Sequence, residues 1–172
     1  KAVGLNTATF ISGYRGSPVG TLDVHFLQHK ALMDEHQVHV MPAINEDLGA
    51  TAVWGSQMAN LYPDPRYDGV LGMWYGKGPG LDRSGDAIKH ANYTGVGKNG
   101  GVLAVAGDDP ISKSSTIPSH SEIALYELSL PILYPGTVKE ILTFGRYGFE
   151  LSRYCGSWVG FKIVTNVADA YS

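Results

Sequence analysis

Cysteine is nearly absent: Cys155 is the only one in 172 residues. A disulfide framework is therefore excluded. So is an iron–sulfur cluster held by this chain alone, since a cluster takes about four thiolates. A single thiol suits a reducing compartment, and a cytoplasmic location is the expectation. Positive charge is not in excess either. The net charge is −3, which gives no basic face, so no nucleic-acid partner is expected. No apolar run approaches the roughly 20 residues needed to cross a bilayer, so no membrane partner is expected. Lys1-Ala2-Val3-Gly4 has no apolar h-region of the kind that marks a secretory signal. The chain opens without methionine, and residues 166–172 contain no obvious closing element. The expectation is one domain, residues 1–172, that is a fragment of a larger multidomain chain.

Glycine, in contrast, is plentiful: 22 of 172 residues, nearly twice the usual roughly 7%. The glycines gather at 13–20, 69–85 and 95–107, between apolar segments. Glycine is needed where backbone turns sharply or closely approaches another group. Three such clusters suggest functional loops on a regular scaffold.

That scaffold can be read from the periodicity. Ala8-Thr9-Phe10-Ile11-Ser12 is a β-prone run. Ser17 is a candidate N-cap, Pro18 suits a first helical turn, and a helix is expected over 19–35 with Leu22, Phe26, Leu27 and Met33 inward. A strand over 38–43 leads into Asn45-Glu46-Asp47, a helix start. The helix that follows, over 46–61, is rich in Gly49, Ala50, Ala52, Gly55, Ser56 and Ala59, a surface that admits another backbone. A third strand (69–75) precedes a loop (76–80) and a helix (82–93). A fourth strand (101–106) is almost wholly apolar, as in a sheet covered on both faces. Ser119 and Glu122 have capping-box spacing, as do Thr137 and Glu140. They open helices to 128 and to 154, the second with Val138, Ile141, Leu142, Gly145 and Phe149 on one face. Short strands fall at 131–134 and 159–166. This alternation predicts an α/β fold: a doubly wound, mostly parallel sheet of about six strands with helices on both faces. Ligands of such sheets sit beyond the carboxyl ends of the strands, which puts the glycine-rich loops after strands one, three and four on the ligand edge.

Several patterns have bland readings. Gly95-Val96-Gly97-Lys98-Asn99-Gly100 fits GxGxxG but follows a helix and precedes a strand, the reverse of a dinucleotide fingerprint. Gly72–Gly78 is one residue short of a P-loop and lacks its Ser or Thr. His25 and His29, four apart, have no third ligand nearby and no HExxH pattern, so no metal site is assigned. Cys155 reads as a small buried hydrophobe. Glu46 has two readings. One is a first-turn acid favoured by the helix dipole, worth roughly 0.3–1 kcal/mol. The other is a partly buried carboxylate beside small residues that let a flat ring approach. From periodicity and composition alone the first has the stronger claim, because first-turn acids are common. Lys77, Arg83 and Lys113 are cations on the ligand-edge loops. They are either solvated or suited to an anionic substrate such as a carboxylate.

Four stretches carry a family resemblance: Ile11-Ser12-Gly13-Tyr14-Arg15-Gly16-Ser17-Pro18; Asn45-Glu46-Asp47-Leu48-Gly49-Ala50; Tyr75-Gly76-Lys77-Gly78-Pro79-Gly80-Leu81-Asp82-Arg83-Ser84-Gly85-Asp86; and Ala106-Gly107-Asp108-Asp109 with Lys113-Ser114-Ser115. Together they closely resemble the N-terminal region of the indolepyruvate:ferredoxin oxidoreductase family, in its long fused form, within the 2-oxoacid:ferredoxin oxidoreductases. The resemblance implies the pyrimidine-binding (Pyr) fold of thiamine diphosphate enzymes. It also implies oxidative decarboxylation of aryl pyruvates, indolepyruvate among them, with transfer of the acyl group to coenzyme A and of electrons through [4Fe-4S] clusters to ferredoxin.

By the same resemblance Glu46 is the catalytic acid that hydrogen-bonds ring nitrogen N1′ of the aminopyrimidine and so activates the cofactor. Ser17, Pro18, Gly76, Lys77, Gly78, Pro79 and Gly80 would line the cofactor, and Ser17 would also contact substrate. Pyruvate-type relatives place an arginine where this chain has Asp108, so the substrate carboxylate needs another cation: Arg83 or Lys77, with Arg15 and Lys113 as lesser candidates. The magnesium motif and the cluster cysteines are absent here. Mg2+, the clusters and the diphosphate site are therefore expected on a partner domain or subunit of the same enzyme, and the complete enzyme is expected to be dimeric. An isolated domain would be inactive. Two other readings remain: the Pyr domain of a non-oxidative decarboxylase or carboligase, and a non-catalytic Rossmann-like binding module.

Overall fold

The computed structural model describes residues 4–170. Lys1, Ala2 and Val3 of the opening tetrapeptide and the last two residues of the closing stretch lie outside the described residues. Among the described residues six strands form one sheet: β1 (Thr7–Gly13), β2 (Val38–Val40), β3 (Gly69–Lys77), β4 (Gly101–Asp108), β5 (Ile132–Leu133) and β6 (Val159–Val164). Their order is β2-β1-β3-β4-β6-β5, and every neighbouring pair is parallel. The helices are α1 (Leu22–Gln28), α2 (Lys30–Glu35), α3 (Glu46–Gln57), α4 (Gly78–Arg83), α5 (Gly85–Thr94), α6 (Glu122–Glu127), α7 (Val138–Cys155) and α8 (Thr165–Ala168). The expected doubly wound α/β fold is present, with a sheet that is parallel throughout. No helix among the described residues is long and apolar enough to cross a membrane.

Strand alternation sends side chains to two cores. Trp74, Val102, Ala104 and Ala106 meet Ala50, Val53, Leu81, Ile88 and Leu125 on the side of α3, α4, α5 and α6. Tyr75, Leu103, Val105 and Phe161 meet Val19, Phe26, Ile141 and Phe144 on the side of α1 and α7. Each fully buried large apolar side chain stabilises by roughly 1.5–3 kcal/mol, and β4, buried at every residue, contributes to both cores.

Of the small residues expected on the helix over 46–61, Gly49 makes the close approach, Gly55 faces open space, and Ala59 lies beyond α3, which ends at Gln57. A Cβ on Gly49 would fall 2.8 Å from Cα of Gly13, so the helix rests on the end of β1 backbone to backbone. At the other end of α3, Gln57 donates to Val70 O at 3.0 Å and accepts from the amides of Gly97 and Gly101 at 3.3 Å. The GxGxxG stretch is thus a tether between α5 and β4.

Several local expectations are corrected. The helix over 19–35 is two helices broken at His29. The ring Nδ1 of His29 sits 2.8 Å from His25 O, and the His29 amide turns instead to Phe26 O. Leu27 is exposed, and so is Leu142 of α7. Ser17 is not an N-cap and Pro18 is not in a first turn, since α1 begins at Leu22. Pro18 and Val19 instead lie over Gly107, where a Cβ would be 2.9 Å from Pro18 Cδ. The loop over 76–80 does not exist as such: β3 runs to Lys77 and α4 starts at Gly78, with Pro79 in its first turn. The helix over 82–93 is split at Ser84. Ser121, not Ser119, occupies the cap position of α6. Cys155 is exposed, being the last residue of α7, next to left-handed Gly156 where the chain turns toward β6.

Candidate active site

The sheet changes winding direction between β1 and β3, and their carboxyl ends make the crevice where ligands of such folds bind. Hydrogen bonds continue past the strands and bring three segments side by side. Tyr14 N donates to Tyr75 O at 3.0 Å, and Ala43 N donates to Gly13 O at 2.9 Å. Ser12 Oγ donates to Met41 O at 2.7 Å. The segment after β2 is thereby pinned beside β1 and delivers the chain to α3.

Glu46 is the first residue of α3. The Asn45 side chain caps the helix by accepting from Leu48 N at 2.9 Å. The Glu46 side chain is half-buried and lies against two glycines. A Cβ on Gly80 would fall 2.7 Å from Glu46 Oε1, and one on Gly76 would fall 3.3 Å from its Cγ. Those glycines leave the carboxylate beside bare backbone. Beneath it, Trp74 Nε1 donates to Glu46 O at 2.9 Å. Glu46 thus starts a helix, as a first-turn acid does, and its side chain fills the space that Cβ atoms on Gly76 and Gly80 would need.

The other candidates divide into groups. Arg15, Ser17 and Lys77 belong to one. Arg15 Nη2 is 3.5 Å from Oδ2 of Asp23, a carboxylate that is 1% exposed. The Lys77 stem packs on Gly16, where a Cβ would be 2.9 Å from Cδ. Ser17 follows on the same loop and is half-buried, as is Pro18. Tyr75 lies below, its hydroxyl buried without a partner. Burial, aided by the Asp23 charge, pushes that hydroxyl up to about 12.

Gly78 and Asp108 belong to a second group. A Cβ on Gly78 would be 2.7 Å from Ser119 Oγ and 3.2 Å from Asp108 Oδ1. Asp108, expected at the substrate rim, is fully buried and internally committed. It accepts from Ser121 N at 2.7 Å and Ser121 Oγ at 2.6 Å, and Lys162 Nζ lies at 3.2 Å. Lys162 also pairs with Glu122 and lies 4.5 Å from the Tyr134 ring centroid. Burial alone would lower the Lys162 ammonium, but its bonds to Glu122 and Asp108 reverse that and hold it above its ordinary value. The remaining cations stand apart. Lys113 is paired with Asp169 at 2.6 Å, which raises it. Arg83 is exposed at the end of α4. Pro79 is half-buried beside Gly80.

Sequence reasoning missed Asp23, Trp74, Tyr75, Asp109 and Lys162. For Asp23 a signal existed: it stands four residues after Val19 and three before Phe26, so it falls on the apolar stripe of its helix. Asp109 closes the loop after β4 by accepting from the amides of Lys113, Ser114 and Ser115 at 2.8–2.9 Å. These bonds, that of Ser114 foremost, hold its carboxyl down at about 2. Among the described residues no three His, Cys, Asp or Glu side chains come together as metal ligands.

No family model matches the chain. Three curated relatives share about half of it. Over 97 residues, 56% of the chain, it is 30% identical to "Indolepyruvate oxidoreductase subunit IorA" of Pyrococcus horikoshii and 31% identical to the same-named subunit of Pyrococcus abyssi. Over 100 residues it is 31% identical to the subunit of that name from Methanothermobacter thermautotrophicus. The aligned stretch spans 15–16% of the length of these relatives.

Proposed function

We propose that this chain is the pyrimidine-binding domain of a thiamine-diphosphate-dependent 2-oxoacid:ferredoxin oxidoreductase of the indolepyruvate type, which converts aryl pyruvates to acyl-CoA. One observation carries the reading. A half-buried carboxylate, Glu46, sits at the start of a helix, at the winding switch of a parallel sheet, packed directly on the backbone of Gly76 and Gly80. The residues present fit the aminopyrimidine end of the cofactor: a half-buried acid for a ring nitrogen, held against the glycine backbone at the ends of the strands. The names of the relatives support the reaction class.

When bound, the cofactor supplies an electron sink for decarboxylation of the 2-oxoacid. The work of this chain is to bind, orient and move one proton. Glu46 holds a proton between its carboxylate and N1′ of the ring, a general acid–base contribution of about 10²–10⁴ in rate. Gly76 and Gly80, with Lys77, Gly78 and Pro79, form one wall of the ring's site, and Pro18 stands over Gly107 at the end of β4. Ser17 donates its hydroxyl to the substrate. Lys77, whose stem packs on Gly16 of the Ser17 loop, takes the substrate carboxylate in preference to Arg15 and Lys113, which are paired with Asp23 and Asp169. Asp108 lies behind Gly78 and is held by Ser121 and Lys162, so it does not reach the substrate. Mg2+, the diphosphate site, the [4Fe-4S] clusters and the contacts with coenzyme A and ferredoxin belong to other domains or subunits of a cytoplasmic, dimeric enzyme.

The test is Glu46→Gln in the complete enzyme. Aryl-pyruvate-dependent reduction of ferredoxin should fall by about 10² or more while the melting temperature stays unchanged. Unaltered turnover would overturn the proposal.

A further inference from the structure

Trp74 is fully buried, and its one polar atom is spent on the main chain of the candidate acid. Nε1 donates to Glu46 O at 2.9 Å. In a helix the carbonyl of the first residue already accepts from the amide four residues on, so the indole takes the second lone pair. The same ring forms the floor under Gly76, where a Cβ would fall 2.7 Å from Trp74 Cζ2 and 3.3 Å from Glu46 Cγ. Burial alone does not produce such a bond. The indole N–H groups of Trp54 and Trp158 are also buried, and neither has a partner.

We infer that Trp74 is a positioning residue: by bonding the Glu46 carbonyl from below and bracing Gly76, it fixes the first turn of α3 at the depth where the carboxylate faces Gly80. The inference rests on the reading of Glu46 as the group that meets N1′. A carboxylate at the start of a helix can be re-aimed by a small tilt of the first turn. Misplacement by about 1 Å is enough to cost on the order of 10²-fold in rate. Asn45 restrains that turn from the solvent side and Trp74 from the core side.

The test uses the complete enzyme with magnesium, and compares Trp74→Phe with Trp158→Phe. Both changes shorten a fully buried indole, but only the first removes a hydrogen bond. Calorimetry gives the affinity for thiamine diphosphate and for an analogue carrying C–H in place of N1′, which cannot bond the acid. Trp74→Phe should weaken thiamine diphosphate by about 10-fold and the analogue by less than about twofold. Its kcat should fall by about 10–100-fold. Trp158→Phe should leave the preference for the natural cofactor intact. Equal weakening of both ligands by Trp74→Phe, or no weakening, would overturn the inference. Should Trp74→Phe not fold, a benzothienylalanine at position 74 keeps the bicyclic volume without the N–H and gives the same readout. Glu46→Gln separates the two claims. If it leaves the preference for the natural cofactor unchanged, the reading of Glu46 fails; if it abolishes that preference while Trp74→Phe does not reduce it, only the role of Trp74 fails.

Discussion

Gly49 of α3 meets Gly13 of β1 backbone to backbone, with 2.8 Å between the place where a Gly49 Cβ would stand and the Gly13 Cα. That contact sets how deep α3 sits, and α3 carries Glu46. Gly49→Ala should therefore destabilise the fold by about 1–3 kcal/mol through overpacking. Gly55→Ala, in the same helix with open space around it, should be neutral or stabilising by up to ~1 kcal/mol. Denaturant melts of the two variants make the comparison, and equal effects would show that the close approach is not needed.

Gly80 bears on the acid itself. A methyl group there would fall 2.7 Å from Glu46 Oε1, so Gly80→Ala must displace the carboxylate. Turnover of the complete enzyme should drop by about 10-fold or more. Gly85→Ala, at the start of α5 with nothing within 4 Å, should leave it unchanged. Steady-state kinetics of the pair decide the point.

Lys162 holds the end of β4 in place. Its side chain is 4% exposed and bonds Asp108 and Glu122. Lys162→Met leaves Asp108 buried with one partner fewer, at a cost of about 3–5 kcal/mol. The melting temperature should fall by about 6–20 °C. Lys89→Met, which breaks the exposed pair with Glu127, should hardly move it. Thermal melts read both.

Acid should open the loop after β4. The Asp109 carboxyl is held at about 2 in the fold against an ordinary 3.8. Folding therefore favours its charged form. The stabilisation is complete above the ordinary value and is lost as pH falls through about 2. Amide resonances of Lys113, Ser114 and Ser115 should titrate with a midpoint near 2. A midpoint near 3.8 would mean that those amides are not bound to the carboxylate.

Much of this architecture was legible because its signals are local. Asn45 before Glu46 caps a helix, the small residues of α3 announce a close approach, and the unbroken apolar run of β4 announces a strand covered on both faces. The segment over 76–80 was misread because three glycines and a proline argue against helix on propensity. Pro79 is tolerated in a first turn, and the glycines answer to Glu46, Trp74 and Ser119, which are distant in sequence. The break at His29 depends on a side chain capturing a carbonyl of its own helix. The Asp108–Lys162 pair joins residues that only the sheet order brings together. Periodicity alone gave Glu46 no more than a helix start, and its contacts with Trp74, Gly76 and Gly80 come from β3 and α4, remote in sequence.

The central claim is that Glu46 meets the pyrimidine of thiamine diphosphate. The most direct measurement is an experimental structure of the complete enzyme with thiamine diphosphate and magnesium bound. The account predicts a Glu46 carboxylate oxygen within about 2.6–3.0 Å of N1′, with the ring passing Gly76 and Gly80. A cofactor bound away from this crevice, or a Glu46 side chain turned from the ring, would contradict it.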